Sequence, residues 1–559
     1  MPGDNAAAAI VNTLESLGVR LIFGLPGSQT CPLYDALYSS RIRHVLVRHE
    51  QAAAYMADAY AKFTGEAGVC DGTGGPGATN LLTGIATAWT DSTPVLAFTG
   101  QQSLKHLGKG AFQELDHVAL FSPITKWSKS LVRADRASEI VREAYKIATW
   151  GKPGPVHIDV PVDVQTQVLS HEALERLEEQ STLRPAPKPS GEPASIKVAA
   201  TLLAHSSRPL IIAGGGVHYS GEGAWKQLKA LAEYLQLPVV TTFNGRGSFP
   251  EDHPLSAGRM GVHAPAYTDE MLSEADVILA MGCRFAALST RWWSNVNTGA
   301  ALIHVDIDPE VIGRNYQVKV SIIGDAAMVL ESLLDETKTF QEAGTKRRKD
   351  WLSLLCQARE SWERSEWFLR AHDEESIKPQ RACLEIRRCL GRDTVFTMDA
   401  GNNKLWASTF LRIHEPRTWI QSGSFGPMGY ALPAAIACKL AKPERTVVAI
   451  CGDGGFYMSL HELATAVQER APVIVCVFND KALGTIKHRQ RRFYGGRLIS
   501  VELENPSFAK VAEAFGCVGV EIERPRQLQA ALKESAEAVK NGQPAVVDIR
   551  IDGEEQLPP

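Results

Sequence analysis

The chain of 559 residues has a formal net charge of −4 and a hydrophobic share of 44%, material for roughly two to four globular domains. It carries no basic domain or stripe of the kind that grips nucleic acid, and no apolar run reaches the ~20 residues needed to span a bilayer. Its ten cysteines are scattered without Cys-x-x-Cys pairs, which excludes a disulfide frame or zinc site, and Met1-Pro2-Gly3-Asp4-Asn5 lacks a signal core, so the expected location is the cytoplasm.

Apolar strand-like runs alternate with helical stretches throughout, which predicts an α/β architecture. The run His44-Val45-Leu46-Val47 leads into Arg48-His49-Glu50 and then an alanine-rich stretch. A carboxylate is favoured at a helix N-terminus, so the local sequence makes Glu50 a helix-start acid. Next comes a glycine-rich turn, Gly72-Thr73-Gly74-Gly75-Pro76-Gly77-Ala78-Thr79-Asn80. Residues 170–195 turn charged and then proline-rich (Arg184-Pro185-Ala186-Pro187-Lys188-Pro189), reading as an exposed linker. In the middle third, Gly214-Gly215-Gly216 follows a strand in Rossmann-like surroundings and leaves room for a nucleotide. Residues 336–378 carry dense mixed charge (Lys346-Arg347-Arg348-Lys349-Asp350) with Trp351, Trp362 and Trp367, predicting a surface helix and connector. These breaks leave three segments, 1–168, 192–335 and 376–559.

The last segment is the most informative. Asp399-Ala400-Gly401-Asn402-Asn403 follows the strand-like Val395-Phe396-Thr397-Met398 and reads locally as an Asx turn. Further on, Gly452-Asp453-Gly454 and Asn479-Asp480 bracket a very apolar run, Val473 to Phe478. The pattern is strand, acidic turn, helix, strand, acidic turn, so Asp453 and Asp480 lie one strand–helix–strand unit apart. Parallel strands place such turns side by side at the edge where open α/β sheets bind ligands. Two carboxylates meeting there need a cation, and magnesium takes one or two carboxylates plus phosphate oxygens. Gly452, Gly454 and Gly455 permit close backbone approach to a phosphate. The local reading is a magnesium–diphosphate site; the structural alternative is two acidic turns such as any α/β protein carries.

That spacing resembles the magnesium–diphosphate motif of thiamine diphosphate enzymes. His49-Glu50-Gln51-Ala52-Ala53, followed by Gly75-Pro76-Gly77-Ala78-Thr79-Asn80, is similar to the aminopyrimidine-binding half of acetolactate synthases. Phe112-Gln113-Glu114, Pro123-Ile124-Thr125-Lys126, Gly151 to Pro161, Ile303 to Pro309 and Gly426-Pro427-Met428-Gly429 resemble further segments of that family, in family order. The resemblance implies three doubly wound parallel-sheet domains: pyrimidine-binding (1–168), central and Rossmann-like (192–335), and diphosphate-binding (376–559). It implies thiamine diphosphate and Mg2+ as cofactors. Glu50 would share a proton with the pyrimidine ring, and Gln113 would contact substrate. Pro26, Thr73, Pro76, Asn80, Gly401, Asn402, Asn403, Gly426 and Met428 would hold the cofactor together with Gly452, Asp453, Gly454, Gly455 and Asp480. Asp453, Asp480 and the Ala482 carbonyl would hold the metal, and Met428 would wedge the cofactor into a bent shape. The halves would meet across a dimer interface, giving a homodimer or homotetramer; the sequence names no regulatory subunit.

The chain also departs from that pattern. Asp480 stands where the family usually has Asn, and Asn402-Asn403 where it often has Gln-His. Arg489, within the basic run Lys487-His488-Arg489-Gln490-Arg491-Arg492, stands where biosynthetic members carry Trp. It reads either as an anion clamp or as part of a solvated helix face. Gly282-Cys283-Arg284-Phe285-Ala286-Ala287-Leu288 lacks the Asp-Asp-Arg of flavin-containing relatives, which argues against FAD. The sequence ends at Pro559, soon after its last strand, which implies a shortened lid and a wetter site. The expected activity is a carboligase that decarboxylates a 2-oxo acid and transfers the acyl anion to a second carbonyl. The alternatives are a non-ligating 2-oxo acid decarboxylase, a 2-hydroxyacyl-CoA lyase or oxalyl-CoA decarboxylase type, or a degenerate cofactor-binding paralogue.

Overall fold

The computed structural model describes residues 4–169, 186–340 and 348–558. Arg184, Pro185, Lys346 and Arg347, named above for the linker and the charged connector, lie outside them. The strands form three sheets of six. The first contains β1 (Leu21–Gly24), β2 (Arg43–Leu46), β3 (Gly68–Gly72), β4 (Val95–Gln101), β5 (Trp127–Ser130) and β6 (Val156–Pro161). The second contains β7 (Pro209–Ala213), β8 (Val239–Thr241), β9 (Ser256–Arg259), β10 (Val277–Met281), β11 (Ala301–Asp306) and β12 (Val320–Ile323). The third contains β13 (Val395–Met398), β14 (Trp419–Gln421), β15 (Val447–Gly452), β16 (Ile474–Asn479), β17 (Val518–Ile522) and β18 (Ala545–Arg550).

Neighbouring strands pair in parallel. Helices cover both faces of such sheets, which is why runs like Val447–Cys451 and Ile474–Phe478 are apolar without alternation and wholly buried. The first sheet runs β2-β1-β3-β4-β6-β5 and the third β14-β13-β15-β16-β18-β17, the same order twice. The sequence does not betray this duplication by identity. The central sheet runs β12-β11-β10-β7-β8-β9, the dinucleotide-fold order in which the path reverses beside its first strand.

The chain forms two compact units. One comprises Met1–Pro187, Phe425–Pro443 and Ser459–Pro472 and holds the first sheet. Its best-defined packing is between the helices Glu50–Thr64 and Pro76–Asp91. A Cβ on Gly84 would lie 2.3 Å from the Ala54 Cβ, so the two backbones touch where neither residue has bulk. Gly65, at φ +83°, ends the first of these helices in the left-handed conformation that glycine supplies at C-caps.

The other unit comprises Lys188–Ser424, Glu444–Met458 and Val473–Pro559 and holds the second and third sheets. Within it, the helix Asn402–Phe410 meets two buried arginines from the central segment. Arg246 donates to the Ala407 and Leu411 carbonyls and pairs with Glu251 at 2.5 Å; Arg259 donates to the Ser408 carbonyl at 3.3 Å. Cations at the carbonyl end of a helix offset its dipole. The charged connector does form a helix, Lys349–Glu363, but not a wholly exposed one. Arg348 is fully buried, donating to the carbonyls of Ser206, Leu203, Ala204 and Leu235, and the Trp351 indole donates to the Pro209 carbonyl at 3.0 Å. Main-chain oxygens left over at helix ends give a buried guanidinium the acceptors it needs.

The ten cysteines are all unpaired. Among the described residues, no helix is long and apolar enough to cross a membrane.

Candidate active site

In each of the like-ordered sheets the chain path reverses between two adjacent strands, β1 and β3 in the first and β13 and β15 in the third. Open α/β sheets bind ligands at such points.

In the first unit, Glu50 opens its helix immediately after the turn that follows β2, and only 6% of it is exposed. His49 caps that helix, its Nδ1 accepting the Gln51 N–H at 3.1 Å. Asn80 donates its amide to Glu50 Oε2 at 2.9 Å. The Ala54–Gly84 contact explains the meeting: Glu50 and Asn80 each sit one turn before it, on the same faces of their helices. Such a bond to a carboxylate contributes about 1.5–3 kcal/mol. Glu462, itself fully buried, accepts the Arg48 N–H at 2.9 Å and the Thr465 hydroxyl at 2.6 Å, pinning the backbone two residues ahead of Glu50. Burial, more than any hydrogen bond, pushes the Glu462 carboxyl up to about 7.

The remaining residues of this half cluster around the glycine-rich turn. Exposed Pro26 precedes Gly27, whose hypothetical Cβ would fall 2.3 Å from the Thr73 side chain. Thr73 donates its hydroxyl to Gln29 Oε1 at 2.6 Å, and the Gln29 amide donates to Gln113 Oε1 at 3.0 Å. Gln113 has φ +60°, unusual for a residue with a side chain, and sits directly on Gly75. A Cβ on Gly75 would lie 2.9 Å from the Gln113 carbonyl oxygen. Pro76 is exposed at the start of its helix. Gly426, at φ +62° with open space beside it, and half-buried Met428 belong to this unit, where the Tyr55 hydroxyl lies 3.5 Å from the Met428 carbonyl.

In the second unit, Asp453 follows β15 and Asp480 follows β16. Burial pushes the Asp453 carboxyl up, and burial together with the Asp453 charge pushes Asp480 up to about 7. The Asp480 Oδ1 accepts the Ala482 N–H at 3.2 Å. Asn505 donates to Asp453 Oδ2 at 2.7 Å and to Asn479 Oδ1 at 2.9 Å, tying the two strand ends together. Gly455 lets Asp399 approach: a Cβ there would fall 2.7 Å from Asp399 Oδ1. Gly401, at φ +127°, turns the chain into the helix Asn402–Phe410. Asn402 accepts the Thr485 hydroxyl at 2.8 Å. Asn403 is turned inward, its amide donating to the Asp399 and Ile450 carbonyls at 3.2 and 3.0 Å. Gly452 faces the Asn403 oxygen, and Gly454 donates its N–H to Asp453 Oδ1 at 2.9 Å.

These donors fit a divalent cation. Asp453 is buried and Asp480 part-buried, and the charge of the first raises the proton affinity of the second, which a positive ion between them would relieve. Among the described residues no group of three or more His, Cys, Asp or Glu is arranged to hold a metal ion. The other ligands of such an ion must therefore be carbonyl, water or phosphate oxygens, which is how magnesium is held beside phosphates.

Two other sequence features resolve differently. Gly214, Gly216 and Gly282 serve a main-chain crossing: a Cβ on Gly214 would lie 2.1 Å from the Gly282 carbonyl oxygen. The basic run forms the helix Gly484–Phe493, in which no residue is buried. Lys487 lies 3.7 Å from both Glu502 and Glu554, Arg491 pairs with Glu554, and His488 bonds the Gly553 carbonyl at 2.9 Å. Arg489 is exposed, 5.8 Å from the Phe493 ring. Sequence reasoning missed Asn505, Gln29 and Glu462. Only their tertiary neighbours give them a role, and no motif spacing marks them.

Residues 4–120, 196–333 and 399–549 match, in turn, the family models for the thiamine pyrophosphate enzyme N-terminal TPP binding domain, central domain and C-terminal TPP binding domain. The chain belongs to the thiamine diphosphate (thiamine pyrophosphate) enzyme family. It is 42% identical to a probable acetolactate synthase large subunit of Methanocaldococcus jannaschii, over 99% of this chain and 93% of that one. It is 37% identical to the acetolactate synthase large subunit of Corynebacterium glutamicum, over 99% and 88%. With the isozyme 3 large subunit of Escherichia coli it shares 36%, over 99% and 96%.

Proposed function

We propose that the chain is a thiamine diphosphate- and Mg2+-dependent carboligase, a transferase that decarboxylates a pyruvate-like 2-oxo acid and joins the acyl unit to a second carbonyl, working in the cytoplasm. The observation that carries this reading is end-to-end likeness to acetolactate synthase large subunits in a chain with a buried acid at the carboxyl edge of each like-ordered sheet. When bound, thiamine diphosphate supplies the electron sink for loss of carbon dioxide and carriage of an acyl anion.

The chain's own residues bind, orient and move a proton. Glu50 holds a proton at Oε, with Asn80 fixing the carboxyl's orientation; a buried acid so held suits general acid–base work. Asp453, Asp480 and the Ala482 carbonyl would take Mg2+, and Gly401, Asn402, Asn403 and Gly452 to Gly455 would line the diphosphate. Pro26, Thr73, Pro76, Gly426 and Met428 would border the ring end, and Gln113 would meet the substrate. We further propose that the acid half of one chain and the cation half of a second complete one site, making a homodimer or homotetramer the active species.

Incubating purified protein with pyruvate, thiamine diphosphate and magnesium should yield acetolactate. Acetaldehyde alone would make it a simple decarboxylase, and no turnover of any 2-oxo acid would reject the reading. One observation favours a lyase acting on an acyl-CoA instead: exposed Arg489, on a helix with no buried residue, is suited to an anionic substrate tail. Oxalyl-CoA belongs in the same assay for that reason.

A further inference from the structure

Beneath the glycine-rich turn of the first unit lies a buried polar cluster that the proposed chemistry does not use. His117 is fully buried and Asp159, at the end region of β6, is 3% exposed. The Gly75 N–H donates to His117 Nε2 at 3.0 Å. An amide N–H can only donate, so Nε2 is an acceptor, and the neutral ring carries its proton on Nδ1. That Nδ1–H faces Asp159 Oδ1 at 2.8 Å. Asp159 is fixed in turn by the Thr99 hydroxyl at 2.7 Å and the Gln101 amide at 3.3 Å. The same Gln101 amide donates to the Leu115 carbonyl at 2.8 Å, which ties β4 to the loop carrying Gln113.

Gly75 is the N-cap of the helix Pro76–Asp91 and has no side chain with which to cap it. Its N–H is met by the imidazole, and its Cα surface is where Gln113 sits, within 2.9–3.1 Å of a would-be Cβ. Residues 113 and 117 thus press on one turn from two sides: His117 holds the amide, and Gln113 rests on the face. We propose that His117 and Asp159 are positioning residues that seat Gln113, by locking the Gly74-Gly75 turn in one place through a single imidazole tautomer. Neither residue is exposed enough to touch substrate, so their effect must pass through Gln113. This rests on the reading of Gln113 as a substrate contact.

The test uses two substitutions of similar volume. His117→Asn keeps a donor for Asp159 but ends short of Gly75, whereas His117→Gln places an acceptor near the former Nε2. His117→Asn should lower kcat/KM for carbon dioxide release from the 2-oxo acid by about 10- to 100-fold, as an ångström-scale misplacement does. His117→Gln should recover most of it. In a Gln113→Ala background His117→Asn should add less than about threefold, since coupled residues are not additive. Independently of activity, amide hydrogen exchange in residues 102–116 should rise in His117→Asn and stay near wild type in His117→Gln. Unchanged exchange and turnover in His117→Asn would overturn the proposal, as would a full multiplicative loss on top of Gln113→Ala. If Gln113→Ala is itself silent while the wild type turns over, the reading of Gln113 fails and the dyad's role falls with it. If the wild type turns over no 2-oxo acid, the proposed function fails while the exchange result still decides the dyad's hold on the loop.

Discussion

The first and third sheets share one strand order, yet the chain furnishes their carboxyl edges in opposite ways. After β2 and β3 it places one buried acid and gives it an amide donor, Asn80. After β15 and β16 it places two acids whose neighbours include each other. One arrangement holds a lone carboxyl on a side-chain amide; the other sets two carboxyls close enough that the charge of Asp453 pushes Asp480 up. Strand order therefore decides where a crevice lies, and the residues at the strand ends decide what it attracts.

Substitutions on the two sides should separate these roles. Glu50→Gln should have the largest effect, lowering kcat by about 10²- to 10⁴-fold with calorimetric affinity for thiamine diphosphate little changed, because the amide occupies the same space but cannot cycle a proton. Unaltered turnover would remove Glu50 from the chemistry. Asp453→Ala should act on binding instead, raising the half-saturating magnesium concentration by at least on the order of 10-fold. A magnesium titration identical to wild type would place the metal elsewhere.

The smallest effect concerns stability. The Glu462 carboxyl is raised from 4.5 to about 7, mainly by burial, so the folded protein holds its proton more tightly than the unfolded chain. The stability it contributes is fully present below about pH 4.5 and is lost as pH rises through about 7. Glu462→Gln should flatten that part of the profile. Denaturant unfolding at several pH values across that window checks it, and equal slopes in both proteins would show that Glu462 is not the source.

Much of the architecture was legible in the sequence, because parallel strands buried on both faces are written as unbroken apolar runs. Asp453 and Asp480 stood out because each follows such a run within a residue or two, and Glu50 because it stands between a strand-like run and an alanine-rich helix. What stayed hidden is what proximity alone creates. Asn505 is an ordinary loop amide until the fold sets it against Asp453 and Asn479. His117 is one imidazole among fifteen until Gly75 and Asp159 close on it. Arg348 belongs to a run that reads as solvated, and only the carbonyls around it reveal why it is buried. Met428 follows β14 in sequence but packs in the unit that contains Tyr55 and Glu50, a placement no local pattern encodes.

The bare contact between Ala54 and Gly84 carries a last consequence. Because the Ala54 methyl already rests against the bare Gly84 backbone there, a single added methyl on Gly84 would act as a shim. The pair one turn up the same helices, Asn80 and Glu50, would feel the gap as a lengthened bond. The seating of the carboxyl is thus geared to a glycine one turn away along the neighbouring helix.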